Sequence, residues 1–497
     1  MKVEYRNLPH AGGKISTVGI VAGSLHESRP QEIKGIISYG MEHGINLIDK
    51  VMYDSSAAEP ITQAPKGHTV GGLNKTDDFK QYMSEYFKRS NKKVCKRLGV
   101  EFEHFLIDRS TMESYRYDEP NGQHELLKKL ANRGWKVVLV EDGNLMAVEK
   151  DGHTITLEPG GQVEISLHVE TTVGEIDSAY QDILGEIRQL LMKNQALASI
   201  GYHPKTKIDQ LPLLPKSRYK MMYDYFMGTG IYGHNMMKGT ASTQVSIDYS
   251  DEADFIKKYR VANFLSPFIA RLFDATPVFE GEIYPDNNCR ILIWENTDPE
   301  RTKLISGILD RTFNFSDYID FLLRTPPILV RIDSKTIFTR NEKLSDLLER
   351  YDFQQSDYEH LISMVFPDVR VKNFLEIRMA DALPYPYNMA VPALIKGIFY
   401  SPSTLDKYYS YSQTFSDEDI RSLNTRLVKE TVFDYKNIEV TAFALGLLDD
   451  AISALDRDEA SYLMPMRSLI LKDGSMSNRL KALYKSRPDE FIAQITL

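Results

Sequence analysis

The chain has 497 residues, a net charge of −9, 42% hydrophobic and 10% aromatic residues, and two cysteines. This is globular material, enough for one large domain with an appendage or for two or three ordinary domains. The acidic balance excludes a general nucleic-acid binder, the absence of any run of about 18 apolar residues argues against a membrane-spanning helix, and Cys95 and Cys289 have neither a disulfide-framework nor a zinc-site spacing, which predicts a reducing, cytoplasmic compartment.

The first ten residues lack the apolar core of a secretory signal. Val18 to Gly23 reads as a buried strand ending in glycine. Pro30 to His43 reads as a helix, with proline in its first turn, Ile33, Ile36, Ile37 and Met41 on one face, and Gly44 as its stop. Ile45 to Ile48 reads as a second strand, ending at Asp49. The stretches Tyr5-Arg-Asn-Leu-Pro, Gly19 to Ser24 and His43-Gly-Ile-Asn-Leu-Ile-Asp49 resemble the opening of an aldo-keto reductase barrel. In that family an aspartate ends the second strand and a proton-donating tyrosine follows five positions later. Asp49 fits the first role, whereas Tyr53 follows by only four. A full barrel needs roughly 250 residues, and the resemblance ends near residue 60. Residues 1–60 therefore read as a truncated strand-helix-strand appendage without catalysis of its own.

Asp54 to Asp78 is rich in Ser, Ala, Pro, Gly, Thr and Asn, and residues 61–78 are assigned as a linker. Asp78 to Ser90 reads as a helix, Gly99 to Asp108 as a strand and Gln123 to Arg133 as a helix. Strands follow at Val137–Val140 and Leu145–Glu149. Ile155 to Leu167 alternates like a strand but is broken by Pro159-Gly160-Gly161, which predicts a bulge or a close backbone approach. A long helix is expected over Val173–Ala198, from the stripe Ile176, Tyr180, Ile183, Ile187 and Leu191. Thr240–Tyr249 reads as a strand, Asp254–Phe273 as a helix, Val371–Met379 as a strand, and the remainder as mainly helical.

Four of these strands carry polar residues on one face. Glu101 and Glu103 lie two apart, as do Glu376 and Arg378. Glu158 and Glu164 flank the Pro-Gly-Gly break, and Gln244 shares a face with Ser242 and Ser246. Gathered in one sheet, so many carboxylates would repel and their pKa values would rise. Magnesium, which prefers oxygen ligands and keeps phosphate in its shell, removes that problem. Arg218, Lys238, Arg290 and Arg301 add cations suited to phosphate or carboxylate. The methionines at 221, 222, 227, 236 and 237 read as a packed wall. No nucleophile elbow, Walker loop or dinucleotide fingerprint occurs.

Five ordered stretches then resemble motifs of the plant-type glutamate–cysteine ligases: Gly99-Val-Glu-Phe-Glu-His104, Leu157 to Ser166, Met236 to Asp248, Trp294-Glu-Asn-Thr-Asp-Pro-Glu-Arg301 and Phe366 to Asp381. The resemblance spans roughly residues 79–497, assigned as the catalytic domain. It implies an α+β, glutamine-synthetase-like fold: a curved antiparallel sheet with surrounding helices, cupping ATP and magnesium. It implies ATP-dependent joining of the γ-carboxylate of L-glutamate to the amino group of L-cysteine through a γ-glutamyl phosphate, the first step of glutathione biosynthesis. By motif position Glu101, Glu103, Glu158, Glu164, Gln244 and Glu376 would be metal ligands. Arg378 would meet the transferred phosphate and, with Glu103, carry catalysis. Arg218, Lys238, Arg290, Trp294 and Arg301 would bind substrate or phosphate. Two departures stand out: Met379-Ala380-Asp381 where the family often has Gly-Ala-Asp, and Lys238-Gly239 where an arginine and a small polar residue are common. A same-fold ligase with another acid or amine, a same-fold phosphotransferase and a non-catalytic regulatory protein are the alternative readings. The expected partners are small molecules, with no nucleic acid and no membrane.

Overall fold

The alternating stretches pair into one sheet. In a computed structural model the described residues are 75–89, 96–332, 335–339 and 341–497, together with the backbone of four short strands near the start. The chain divides into two compact units, Met1–Gly71 and Gly72–Leu497.

In the first unit β1 (Tyr5–Asn7) pairs antiparallel with β2 (Lys14–Ser16). β3 (Gly19–Val21) pairs parallel with β4 (Leu47–Asp49), placing Val21 opposite Asp49. Parallel neighbours need a crossover connection. The expected helix at 30–43 and Tyr53 lie outside the described residues.

The second unit is built on nine strands. β5 (Leu98–Asp108) is the spine. β6 (Lys136–Glu141), β7 (Asn144–Lys150), β8 (His153–Leu157) and β9 (Val163–Ser166) form a meander that reaches β5 through β9. On the other side of β5 lie β10 (Gln195–Ala198) and β11 (Ser242–Ile247). Beyond two separate hairpins, β12 (Val278–Phe279) with β13 (Glu282–Ile283) and β14 (Leu329–Ile332) with β15 (Lys335–Phe338), the chain returns in β16 (Val369–Val371) and β17 (Leu375–Asp381). β17 pairs with β11, and β16 with β17. All pairings in the large sheet are antiparallel.

The helices are α1 (Lys75–Lys88), α2 (Gln123–Ala131), α3 (Val173–Arg188), α4 (Ser217–Phe226), α5 (Gly233–Gly239), α6 (Glu252–Leu272) and α7 (Cys289–Glu295), followed by a mainly helical C-terminal part. α3 starts on a capping box, Thr172 with Glu175, satisfying backbone donors at its first turn. It lays Tyr180 against Phe102, ring centroids 4.4 Å apart, and Tyr180 Oη lies 2.8 Å from His104 Nε2. The even positions of β5 thus face the helix layer, and by the strand's period of two Glu101 and Glu103 face the other way. α6 covers β17, and the helix Ala390–Phe399 covers β11 and β5.

Three sequence expectations are corrected. α3 stops at Arg188, and Gln195–Ala198 is strand β10, paired with Phe105–Asp108. Without it the end of β5 would present unpaired backbone groups, and that pairing outweighs the helix propensity of Gln, Ala and Leu. The stretch Val371–Met379 is a hairpin, β16 and β17, reversed at Lys372–Phe374, where Lys372 N donates to Phe374 O. α1 begins at Lys75, inside the expected linker, with Asp77 and Asp78 in its first turn, where the helix dipole favours negative charge.

Candidate active site

The register places the carboxylates side by side. Gln244 lies directly opposite Glu101, Glu103 opposite Glu164, and Ser246 opposite Glu376. Glu101, Glu103, Glu164, Gln244 and Glu376 line one cavity of about 340 Å³, with Glu158 and Arg378. Glu103 is held by the Ser242 backbone N–H at 2.8 Å and by Ser242 Oγ and Gln244 Nε2, each at 3.0 Å. Glu164 accepts from Thr156 Oγ1 at 2.8 Å. Glu101, Glu158 and Glu164 have no cationic partner within ion-pair distance among the described residues. Desolvation, then the charge of Glu164, pushes Glu101 up to about 8. Desolvation, then Glu158 and Glu103, pushes Glu164 up to about 8. Desolvation, then Glu103, pushes Glu158 up to about 7.

Glu376 is different. Its Oε2 accepts from Arg370 Nε at 2.7 Å and Arg378 Nη1 at 2.8 Å, and its Oε1 accepts from Lys372 Nζ at 2.9 Å. Burial opposes ionisation there, but the charges of Arg370, Lys372 and Arg378 hold its carboxyl below the ordinary range. Arg370 sits opposite Glu376 across the hairpin. The sequence reading singled out neither Arg370 nor Lys372. Their alternation with Val369 and Val371 was the available signal.

The Pro-Gly-Gly break is a tight connection between β8 and β9. Gly161 adopts φ +84°, a region costly for other residues. A Cβ on Gly160 would lie 2.4 Å from the Lys238 carbonyl oxygen, so this is the close backbone approach expected. Gln162 is also buried. It accepts from Gly160 N at 2.8 Å and donates to Thr240 O at 2.8 Å, tying the bend that carries Glu158 to the start of β11. Met222, Met236 and Met237 are buried and wall the cavity.

Arg218, at the start of α4, and Arg290 and Trp294, on α7, also line it. Arg218 Nη2 donates to Ser363 O at 3.3 Å, and Arg290 Nη2 to Arg378 O at 3.2 Å. Arg218 Nε, Arg290 Nη1 and Trp294 Nε1 are buried without a partner. Two guanidinium groups lining one cavity suit an anionic group of a ligand.

Two sequence-assigned residues do not line the cavity. Lys238 is buried, and its ammonium donates to the carbonyls of Ile208 and Leu211, 5.2 Å over the Tyr223 ring. Arg301 is fully buried. It pairs with Asp298 at 2.7 Å, donates to Tyr225 Oη at 2.6 Å and to the Pro326 carbonyl. Both bind internal groups because a buried cation must be paired or hydrogen-bonded where it lies.

Among the described residues no three Asp, Glu, His or Cys side chains stand close enough to hold a metal ion as they are. The donor set nevertheless fits magnesium: all-oxygen, desolvated and mutually repelling. Within Glu376, Oε2 serves two arginines and Oε1 serves one lysine.

Residues 97–493 match the family model described as glutamate–cysteine ligase family 2. The chain is 28% identical over 485 residues to the chloroplastic glutamate–cysteine ligase of Medicago truncatula, covering 94% of each chain. It is 30% identical over 448 residues to that of Nicotiana tabacum, covering 87% of this chain and 81% of the relative. Among solved structures it resembles the glutamate–cysteine ligase of Francisella tularensis in complex with AMP, at TM-score 0.54 and 12% identity, covering 82% of this chain and 88% of that one. At that identity the likeness speaks for the fold. No helix among the described residues is long and apolar enough to cross a membrane.

Proposed function

The chain belongs to glutamate–cysteine ligase family 2, and we propose that the cavity on its sheet is where an ATP-dependent ligase joins the γ-carboxylate of L-glutamate to the amino group of L-cysteine. The observation that carries this assignment of the site is the meeting of free carboxylates and cations in one cavity. Glu101, Glu103, Glu158 and Glu164 have no cation within ion-pair distance among the described residues, and Lys216, Arg218, Arg290, Arg370, Lys372 and Arg378 line the same cavity.

The chemistry needs both kinds of charge. A carboxylate is a poor electrophile until ATP converts it to an acyl phosphate, here γ-glutamyl phosphate. Glu101, Glu103, Glu158 and Glu164, with Gln244 and Glu376, would hold magnesium. When bound, the metal would neutralise phosphate charge and orient the phosphates. Arg378, fixed between Gln244 and Glu376, offsets charge on the transferred phosphoryl group. Arg218, Arg290 and Trp294, which line the cavity, receive the acid substrate's oxygens. Glu103, oriented by three donors, keeps its carboxylate directed at the reacting centre. The Met222, Met236 and Met237 wall excludes water. Positioning of the two substrates contributes heavily, since effective-molarity gains reach roughly 7–11 kcal/mol.

For residues 1–60 we propose a truncated aldo-keto-reductase-like piece that takes no part in this chemistry. We place the chain in a reducing, cytoplasmic compartment because it has only two cysteines. Of these Cys289 is buried and Cys95 lies outside the described residues. The relatives named above are chloroplastic proteins.

The decisive experiment incubates purified protein with Mg²⁺, ATP, L-glutamate and L-cysteine. ADP release matched by γ-glutamylcysteine supports the proposal. ATP turnover independent of cysteine overturns the amine assignment, and no turnover with any acid–amine pair overturns the ligase reading.

A further inference from the structure

Glu376 is shared unequally by its three cations. Its Oε2 serves both arginines, and each arginine has a second anchor. Arg378 Nη1 also reaches Gln244 Oε1 at 2.6 Å, and Arg370 Nη1 reaches Val365 O at 3.5 Å. Their side chains are each 12% exposed. Lys372 is the sole cation on Oε1, at 2.9 Å. Among the described residues its ammonium has no other hydrogen-bond partner, and it lies 5.1 Å over the Phe374 ring. Its side chain is 28% exposed, just past the end of edge strand β16.

A flexible four-carbon stem bearing a point charge can swing where an anchored guanidinium cannot. The ammonium also stands where a divalent cation would approach Oε1. A dication repels an ammonium twice as strongly as one guanidinium repels another at the same distance, so, unlike the two arginines on Oε2, metal and ammonium occupy Oε1 in turn. Once displaced, an ammonium in a cavity that receives a polyphosphate has an obvious new partner.

We propose that Lys372 holds Glu376 Oε1 in the ligand-free protein, yields it to a divalent cation, and passes to the phosphates of the incoming nucleotide. This rests on the ligase reading and adds a nucleotide-binding residue to it. Lys372 is then a competitor of the metal when nucleotide is absent and its ally when nucleotide is present.

Those two roles give a Lys372→Met variant effects of opposite sign. The methionine keeps the apolar stem and removes the charge. Mn²⁺ alone, titrated into the full-length protein and followed by electron paramagnetic resonance, should bind about tenfold more tightly to Lys372→Met than to the native chain. The KM for ATP should rise by about tenfold. Lys372→Arg, which keeps the charge, should shift the Mn²⁺ affinity far less, and thermal melting identifies any variant that has merely lost its fold. If the native chain binds Mn²⁺ in a Glu164-dependent manner and Lys372→Met binds it equally or more weakly, the proposal is overturned while the ligase reading stands. If Glu164→Gln and the native chain bind Mn²⁺ identically, the cavity is no metal site, and the metal reading falls together with this proposal.

Discussion

Arg378 Nη1 donates to Gln244 Oε1 at 2.6 Å at the one point where β17 carries an extra residue against β11. Thr243 faces Ala380 and Val245 faces Ile377, so Arg378 and Met379 together stand opposite Gln244. Such a bulge re-aims a side chain. Here it sets the guanidinium between an amide oxygen on one strand and Glu376 Oε2 on its own.

Arg378→Lys should therefore fail despite keeping the charge. Nη1 gives both of its hydrogens to these two oxygens, and an ammonium in its place would lack the Nε and Nη2 donors that remain for the phosphate. The expected loss in kcat is about 10²–10³-fold, with a native circular dichroism spectrum. Steady-state ADP release checks it, and a loss confined to KM would contradict the assignment of Arg378 to the transferred phosphate.

The raised carboxyls give the metal-free protein a specific pH response. Glu164 has its folded-state pKa pushed from 4.5 to about 8. A carboxyl whose pKa rises on folding takes up protons relative to the unfolded chain, so its burden on stability grows between about pH 5 and pH 8 and is constant above. Glu164→Gln should thus gain stability relative to the native chain across that window, by at most about 1.4 kcal/mol per pH unit. Below pH 4.5 the two should converge. Saturating Mg²⁺ should remove most of the difference. Denaturant melts at a series of pH values, with and without the metal, measure it.

The two glycines of the break should respond differently to alanine. Gly161→Ala imposes a left-handed φ of +84° on a side chain and should cost about 1–2 kcal/mol. Gly160→Ala drives a Cβ to 2.4 Å from the Lys238 carbonyl, which is backbone and cannot rotate aside, so it should be the more damaging. Both should raise the Mg²⁺ concentration for half-maximal activity, because Glu158 hangs from this turn. Melting curves and metal titration of activity test the order.

Arg301 should matter for stability and not for substrate affinity. Arg301→Met removes the partner of buried Asp298 and should cost about 3–5 kcal/mol. The KM for ATP, glutamate and cysteine, measured on the fraction that still folds at low temperature, should match the native chain.

Deletion of residues 1–71 should leave the specific activity within about twofold, since Gly72–Leu497 is a compact unit with its own core. Loss of soluble, active protein would assign the first unit a role in holding the ligase together.

Much of the site was legible because a strand has a period of two. That period places Glu101 with Glu103 and Glu376 with Arg378 whatever the strands pair with. The Pro-Gly-Gly break announced a close backbone approach, and Gly160 against Lys238 is that approach. Lys238 and Arg301 were misplaced because charge alone does not tell whether a cation faces a cavity or a carbonyl. The bulge at Arg378 was invisible, since an extra residue exists only relative to a partner strand. So was β10, whose helix-favouring sequence is overruled by the open edge of β5.

By itself, then, the sequence determined which residues share a face, where the chain must turn sharply and which family it resembles, all properties of neighbours along one strand. Only the tertiary structure decided which faces meet. Register sets Gln244 against Glu101 and Glu164 against Glu103, and the β16–β17 reversal swings Arg370 and Lys372 onto Glu376. Pairing between strands far apart in sequence is set by packing and backbone hydrogen bonding across the whole sheet, and that is what brings these carboxylates and cations to one cavity.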